Sequence, residues 1–453
     1  MERLTPQKIS EITGGEYVGD DNARGVLVTG AARDDREVKP GNLFVCIRGA
    51  RVDGHDFSGR AYLAGAACCL AERALRDAQG PYVLVGSTLE AIKTIGKYYR
   101  SMFAKPVVGI AGSVGKTTTK EMASSVLGAK FNVLKTPENL NNELGVPLTL
   151  LSLDERHEAA VIEMGVSEFG EMERLAEIVR PDICIMTKIG YSHLDAFGDL
   201  EGVLRAKSAV FSFMKPDSLA IVNGDDELLR GFDPGIRKLT FGLGPNNSFR
   251  AENVLAESID AVSFDIVSDT GRFHVRAPAY GAHLTMAALA AAAAGRTLGL
   301  TNDEIRRGLL NYEPVGGRAN VRNTGYITLI DDCYNANPNS VMAALTSLAK
   351  LPGKRIAILG DMLGLGEMAE QMHREIGEFA ARSGIDSLIC CGDSAVYIYE
   401  GCISADGLDP WYFRTTAELT AALPELIKKD DVVLVKASHD MKFTELMPTL
   451  SEL

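Results

Sequence analysis

The chain of 453 residues lacks any stretch of about 20 consecutive apolar residues, which excludes a membrane-crossing helix on length alone. It also lacks a basic surplus. Lys and Arg number 47 against 60 Asp and Glu, a formal net charge of −13, so no broad positive field exists to gather nucleic-acid phosphate or anionic lipid. Any phosphate it binds must be held by a local device. Its eight cysteines include no C-x-x-C pair, and Cys68-Cys69 and Cys390-Cys391 sit inside apolar runs, so packed, reduced thiols are expected and a zinc site is not. The opening MERLTPQKIS has neither the basic start nor the apolar stretch of a signal peptide, and a cytoplasmic protein is expected. Short repeats and low-complexity tracts are absent too. What is present is a globular balance, 46% hydrophobic and 24% charged residues, with length for about three domains.

The punctuation of the chain divides it in three. In residues 1–104, β-rich runs at 43–47 and 81–85, separated by Gly and Asp clusters and the alanine-rich stretch 61–75, predict a small α/β domain. A helical stretch at 89–103 ends at Lys105-Pro106, and the β-branched run 107–111 opens a second unit, 105–313. There the apolar runs 159–164 and 183–187 alternate with amphipathic segments, as parallel strands joined by crossover helices do. Alanine-dense 284–300 predicts a closely packed helix. Tyr312–Gly317 interrupts the pattern before the third unit, 314–453. In it, strand-like runs at 326–330, 355–359, 387–391 and 431–435 alternate with helical segments at 340–350, 367–382 and 417–428. The predicted class is α/β throughout, with a parallel-sheet central domain and a doubly wound C-terminal one.

The most informative segment runs from Gly109 to Thr119, between a predicted strand and a predicted helix. Gly112, Ser113, Val114, Gly115, Lys116, Thr117 and Thr118 read as a phosphate-binding loop: glycines let backbone N–H groups curl around phosphate oxygens, and the helix N-terminus adds partial positive charge. Lys116 is placed to reach β- and γ-phosphates and the Thr117 hydroxyl to meet Mg²⁺. Ile110 stands where the general G-x-x-x-x-G-K-[ST] pattern has its first glycine. Glu163, at the carboxyl end of the run 159–163, is a candidate magnesium partner. His193 follows the run 183–187, and Lys207 lies on a predicted helix, 201–213; neither residue alone distinguishes function from structure.

Taken together, the segments 112–118, Asn139–Thr149, Glu163-Met164-Gly165, Ile189–Leu194 and Arg205-Ala206-Lys207 resemble the Mur ligase family in order and spacing. The likeness extends to Val38–Phe44 and Asp53–Phe57 near the N-terminus. Asp332–Pro338 and Leu359–Met362 are similar to the members that add D-alanyl-D-alanine to UDP-N-acetylmuramoyl-tripeptide. The resemblance implies an N-terminal UDP-sugar domain, a central ATPase domain and a Rossmann-like C-terminal domain. It also implies a monomer that forms an amide through an acyl phosphate in peptidoglycan precursor synthesis. On the matching positions it implies ATP held by the loop with Arg318 and Asn335, and two Mg²⁺ held by Thr117, Glu163, His193 and a CO₂-derived carbamate on Lys207. It further implies chemistry at Lys116, His193, Lys207 and Asn142, and substrate contacts at Arg36, Asp53, His55 and Asn141.

Some positions depart from the family pattern: Asp35 stands for a serine, Leu284 and Ala287 follow His283 where asparagine near adenine is usual, Lys188 replaces an asparagine, Ala209 a glutamate, and His439 an arginine. Two rival readings are another amide ligase of the superfamily with a different amine, and a catalytically weak binder of UDP-muramyl peptides. A binder has no use for the second-metal residues. A switch or motor ATPase offers no reason for the N-terminal domain.

Overall fold

The computed structural model describes residues 4–49, 51–76, 78–259, 261–278, 281 and 284–453. His283 lies outside the described residues. Three sheets occur in chain order, each within one of the three expected sequence ranges.

The first is five-stranded, with Glu16–Val18, Tyr82–Leu84, Cys68–Ala71, Asn42–Val45 and Gly30–Ala32 side by side. All neighbours are parallel except the first pair. Part of the stretch read as an alanine-rich separator is thus the fully buried strand Cys68–Ala71. Helix Thr88–Met102, capped by the Ser87 hydroxyl, leaves this unit to pack on the next: Tyr99 donates to the Leu153 carbonyl at 2.7 Å and Arg100 pairs with Asp182 at 3.1 Å.

The central sheet has nine strands. Val133–Lys135, Ala159–Glu163, Val107–Ala111, Ile183–Met186, Leu219–Asn223, Arg237–Gly242 and Phe249–Ser258 are parallel neighbours, and Ala261–Ser268 and Gly271–Ala277 add an antiparallel meander. Strand Val107–Ala111 is flanked by Ala159–Glu163 on one side and Ile183–Met186 on the other. From it the chain runs to the edge strand Val133–Lys135, returns to Ala159–Glu163 and then crosses to Ile183–Met186 on the other side, so a crevice opens at its carboxyl end. All its residues are buried, as are those of both neighbours. This explains why apolar runs, rather than alternation, mark them. The alanine-rich helix Thr285–Thr297 packs closely on Lys116–Gly128, where an added Cβ on Gly295 would meet Val126 at 2.8 Å.

The C-terminal sheet orders Asn320–Asn323, Thr328–Asp331, Val432–Lys436, Arg355–Gly360, Ser387–Cys391 and Asp409–Phe413, parallel except at the first pair. It docks against the central domain: Leu194 N–H donates to the Gly364 carbonyl at 3.0 Å, and Gly190 lies against the Asn339 side chain. Among the described residues no helix is long and apolar enough to cross a membrane.

Candidate active site

The crevice is part of a cavity of about 710 Å³ walled by both the central and C-terminal domains. The phosphate loop enters it from strand Val107–Ala111. Gly112 has φ +138°, and an added Cβ would lie 2.1 Å from Thr187 Oγ1. That hydroxyl donates to the Val114 carbonyl at 2.7 Å, and Ser113 N–H donates to the Lys188 carbonyl at 2.7 Å, so the neighbouring strand end holds the loop's curl. Gly115, φ +82°, is the N-cap of helix Lys116–Gly128. A left-handed cap without a side chain leaves the first N–H groups of the helix open to an anion.

Lys116 folds back over the loop and donates to the carbonyls of Gly112 at 2.9 Å and Ser113 at 3.4 Å. Desolvation lowers the pKa of its ammonium from the ordinary lysine value; the charge of Arg318 acts the same way and Glu163 opposes. Thr117, on the first turn, donates to Glu163 at 2.9 Å to Oε2 and 3.1 Å to Oε1. The Glu163 carboxylate is buried and accepts from Asn141 Nδ2 at 2.8 Å, and its backbone N–H donates to Thr136 Oγ1 at 2.9 Å. Asn142 beside it accepts from Gly145 N–H at 2.8 Å, anchoring the following helix, Gly145–Leu150.

On the other flank, Ser192 bonds Ser113 hydroxyl to hydroxyl at 3.0 Å, and His193 has left-handed backbone, φ +51°. Desolvation depresses the His193 imidazole, with Lys207 and Lys116 adding to it and Asp195 and Glu171 opposing. Lys207 is only 2% exposed. Among the described residues its ammonium makes no hydrogen bond or ion pair; it lies over the Phe197 ring, 5.6 Å from the centroid. Burial drives its pKa well down, Lys116 pushes the same way, and Glu171 opposes. The helix carrying it ends at Ser208, and Ala209–Phe213 is a 3₁₀ turn, so the predicted single helix 201–213 is two pieces.

The C-terminal domain contributes Arg318, whose guanidinium lies 3.9 Å from the centre of the Tyr334 ring, and Asn335. The His439 ring lies beside the same tyrosine, tilted by 42° with centroids 5.2 Å apart. Ser113, Val114, Gly115, Lys116, Thr117, Thr118, Asn141, Asn142, Glu163, His193, Arg318 and Asn335 therefore share one cavity, whose lining includes neither Lys207 nor Gly112. Leu284 and Ala287 join Phe241 and Met286 as an apolar patch of the wall.

The three N-terminal candidates lie elsewhere: Asp53 and His55 bond each other, while Arg36 pairs with Asp34 instead. Arg36 is exposed and pairs with Asp34 through two bonds, which lowers the Asp34 carboxyl to about 2. His55 is buried: Nε2 accepts from Glu72 N–H at 2.8 Å, so Nδ1 carries the proton it gives to Asp53 at 2.5 Å. Both ring nitrogens serve the fold. Asp53 alone borders a second cavity, of about 450 Å³, beside Arg48 and Arg51. Asp35 faces Arg60 at 3.5 Å, which compensates the carboxylate that replaces a hydroxyl there.

Residues not picked out from the sequence also line the main cavity. Lys436 is buried and pairs with Asp332 at 2.7 Å while bonding the Asn335 carbonyl at 3.0 Å. Asn223, Asp225 and Asp226 close the carboxyl end of strand Leu219–Asn223, a position at which polar residues signal a site in a parallel sheet.

Family comparisons agree with this geometry. The Mur ligase family catalytic domain matches residues 28–95, the Mur ligase middle domain 110–295, and the Mur ligase glutamate ligase domain 317–439. The UDP-N-acetylmuramoyl-tripeptide--D-alanyl-D-alanine ligases of Escherichia coli (strain K12) and Bacillus subtilis (strain 168) are 35% and 34% identical to it, each over 100% of this chain and 99% of the relative.

The chain belongs to the Mur ligase family.

This Mur ligase also superposes on solved relatives. The MurF structure from Acinetobacter baumannii has a TM-score of 0.89 at 30% identity, with 99% of both chains covered. The MurF ligase from Thermotoga maritima in complex with ADP has a TM-score of 0.83 at 29% identity, covering 94% of this chain and 98% of that one. The three matched segments of the ligase fall one on each of its three sheets, and the last contains its sheet entirely.

Proposed function

We propose that this Mur ligase joins D-alanyl-D-alanine to UDP-N-acetylmuramoyl-tripeptide with ATP, through an acyl phosphate, in cytoplasmic peptidoglycan precursor synthesis. One observation carries the reading: a single cavity brings the phosphate loop, the Thr117–Glu163 pair and His193 of one domain against Arg318, Asn335 and Lys436 of another. The working parts are residues 1–104 for the UDP-sugar, 105–313 for ATP, and 314–453 for closing over nucleotide and amine.

The tripeptide carboxylate is a poor electrophile because its leaving group is oxide. Its oxygen attacks the γ-phosphorus of ATP and ADP leaves. The dipeptide amine then attacks the acyl carbon, phosphate leaves, and the amine gives up a proton. Two anions must meet for the first step. The loop N–H groups, the helix N-terminus and Lys116 hold the triphosphate and offset that repulsion, while Arg318 and Lys436 face them from the opposite wall. The apolar patch of Phe241, Leu284, Met286 and Ala287 offers a face for the adenine ring. Asp53, Arg48 and Arg51 border the cavity we assign to the UDP end.

Among the described residues no cluster of three or more His, Cys, Asp and Glu side chains forms a metal cage. That suits Mg²⁺ in such a site, which takes one or two carboxylates plus phosphate and water oxygens. Thr117 and Glu163 fit a first ion, and a neutral His193 with a Lys207 carbamate fits a second. Bound there, Mg²⁺ supplies charge neutralisation for the phosphates. Lys207 suits carbamylation because CO₂ reacts with a neutral amine, and burial without a partner favours that form.

The test is phosphate release. With Mg²⁺, ATP and UDP-tripeptide, release is expected only when D-alanyl-D-alanine is added, with the amide product seen by mass spectrometry. Equal release without the dipeptide would reject the ligase reading.

A further inference from the structure

Lys120 is fully buried, at 0% exposure, one turn beyond Thr117 on the phosphate-loop helix, and nothing in the reaction above uses it. A buried ammonium is costly unless all its donors are satisfied. Here all three are: Nζ donates to the Thr136 carbonyl at 2.8 Å and the Glu138 carbonyl at 3.2 Å, and pairs with Glu121 at 2.9 Å. The carbonyls belong to the segment that follows edge strand Val133–Lys135. That segment bends sharply at Glu138, a non-glycine residue with φ +42°, and carries Asn141.

Two bonds lead from this segment to Glu163. Thr136 Oγ1 accepts the Glu163 N–H at 2.9 Å, and Asn141 Nδ2 donates to the Glu163 carboxylate at 2.8 Å. Lys120 thus ties the helix that bears Thr117 to the segment that fixes Glu163 by both backbone and carboxylate.

We propose that Lys120, acting through Thr136 and Asn141, is a positioning residue that sets the spacing of Thr117 and Glu163 and so tunes divalent-cation affinity at the phosphate loop. The inference rests on the Thr117–Glu163 cation site of the proposed function. Groups that orient metal ligands from behind typically change metal affinity about 10–100-fold when removed.

The probe is Mn²⁺, titrated by electron paramagnetic resonance into the full-length protein with a non-hydrolysable ATP analogue. Lys120→Met, confirmed folded by circular dichroism, is expected to weaken Mn²⁺ binding about tenfold or more. Thr136→Val, which removes only the hydroxyl link, is expected to weaken it in the same direction, and Thr136→Ser to restore wild-type affinity. A merely structural lysine would lower the melting temperature and leave Mn²⁺ affinity unchanged. Wild-type affinity, within twofold, in folded Lys120→Met or in Thr136→Val overturns the proposal; if Lys120→Met does not fold, Thr136→Val decides. Wild-type protein whose Mn²⁺ binding is indifferent to Glu163→Gln would instead overturn the cation site itself, and this inference with it.

Discussion

Buried side chains here divide into those whose polar atoms are all engaged and those that keep one unengaged. His55 belongs to the first kind: its ring bridges Asp53 and the Glu72 N–H from within the N-terminal domain. Replacing it with alanine strands a backbone donor and a carboxylate, so His55→Ala should lower unfolding stability in urea by about 2 kcal/mol. Its kcat should stay near wild type under conditions where the variant is folded. Lys207 is of the second kind, a buried amine with no hydrogen bond or ion pair among the described residues. Its folded pKa lies below the unfolded value near 10.5, so the folded protein binds fewer protons and stability rises with pH up to that value. In carbonate-free buffer, Lys207→Met should therefore melt above the wild type at neutral pH, and the gap should narrow as pH climbs toward 10. A wild type that matches the methionine variant at pH 7 would mean the amine is not strained. For catalysis, Lys207→Ala should lose about a hundredfold in rate, and short carboxylates such as acetate should restore part of it by standing in for a carbamate. Full activity in the variant would remove Lys207 from the site.

At the scale of elements, the phosphate loop shows why two glycines three positions apart are not equivalent. An added Cβ at Gly115 meets nothing within 4 Å, and only its positive φ, costing about 1–2 kcal/mol, opposes substitution. Gly112 combines positive φ with a collision against Thr187 Oγ1, the hydroxyl that holds the Val114 carbonyl. Gly112→Ala should weaken ATP binding in calorimetric titration by about a hundredfold, and Gly115→Ala by about tenfold. The reverse order would mean that the Thr187 contact does not shape the loop. Elements also differ in how openly the chain announces them. Strands buried on both faces, such as Val107–Ala111 and Ile183–Met186, stand out as apolar runs. Cys68–Ala71 is equally buried but has Leu70 as its one bulky aliphatic residue beside two cysteines and an alanine, so it reads as part of a separator. The meander strand Gly271–Ala277 buries Phe273, Val275 and Ala277 and exposes Arg272, His274 and Arg276, a two-residue alternation that a search for continuous runs passes over. Site residues follow the same rule. Loop and strand-end residues near Gly112 and Glu163 are readable because local pattern places them, whereas Lys436 reaches the cavity through an ion pair to Asp332, over 100 positions away in the chain. The position of His55 within a motif likewise cannot reveal that both its ring nitrogens have partners within the fold.

For the whole molecule, the proposed reaction needs the C-terminal domain held against the phosphate loop, and Gly190 sits at one point of that contact. Gly190 faces Asn339, whose Oδ1 is buried and unpartnered in this arrangement, and a Cβ built on Gly190 would come within 2.7 Å of it and 3.7 Å of Val114. The φ of Gly190 is not positive, so its backbone tolerates other residues and only the neighbouring domain demands glycine. Alanine there leaves room for Asn339 to swing aside. Valine fills the gap with two further methyl groups between Asn339 and the loop, and the Leu194–Gly364 backbone bond a few residues away must then stretch or break. Gly190→Val should therefore enlarge the radius of gyration measured by small-angle X-ray scattering in the presence of an ATP analogue. It should cut kcat by about tenfold or more, and leave the melting transition of the central domain in place. Restoring the room from the other side, with Asn339→Ala in the same chain, should recover part of the rate, since the two side chains compete for one space. A compact Gly190→Val protein with full turnover would show that the ligase does not need this face closed to bring amine and activated acid together.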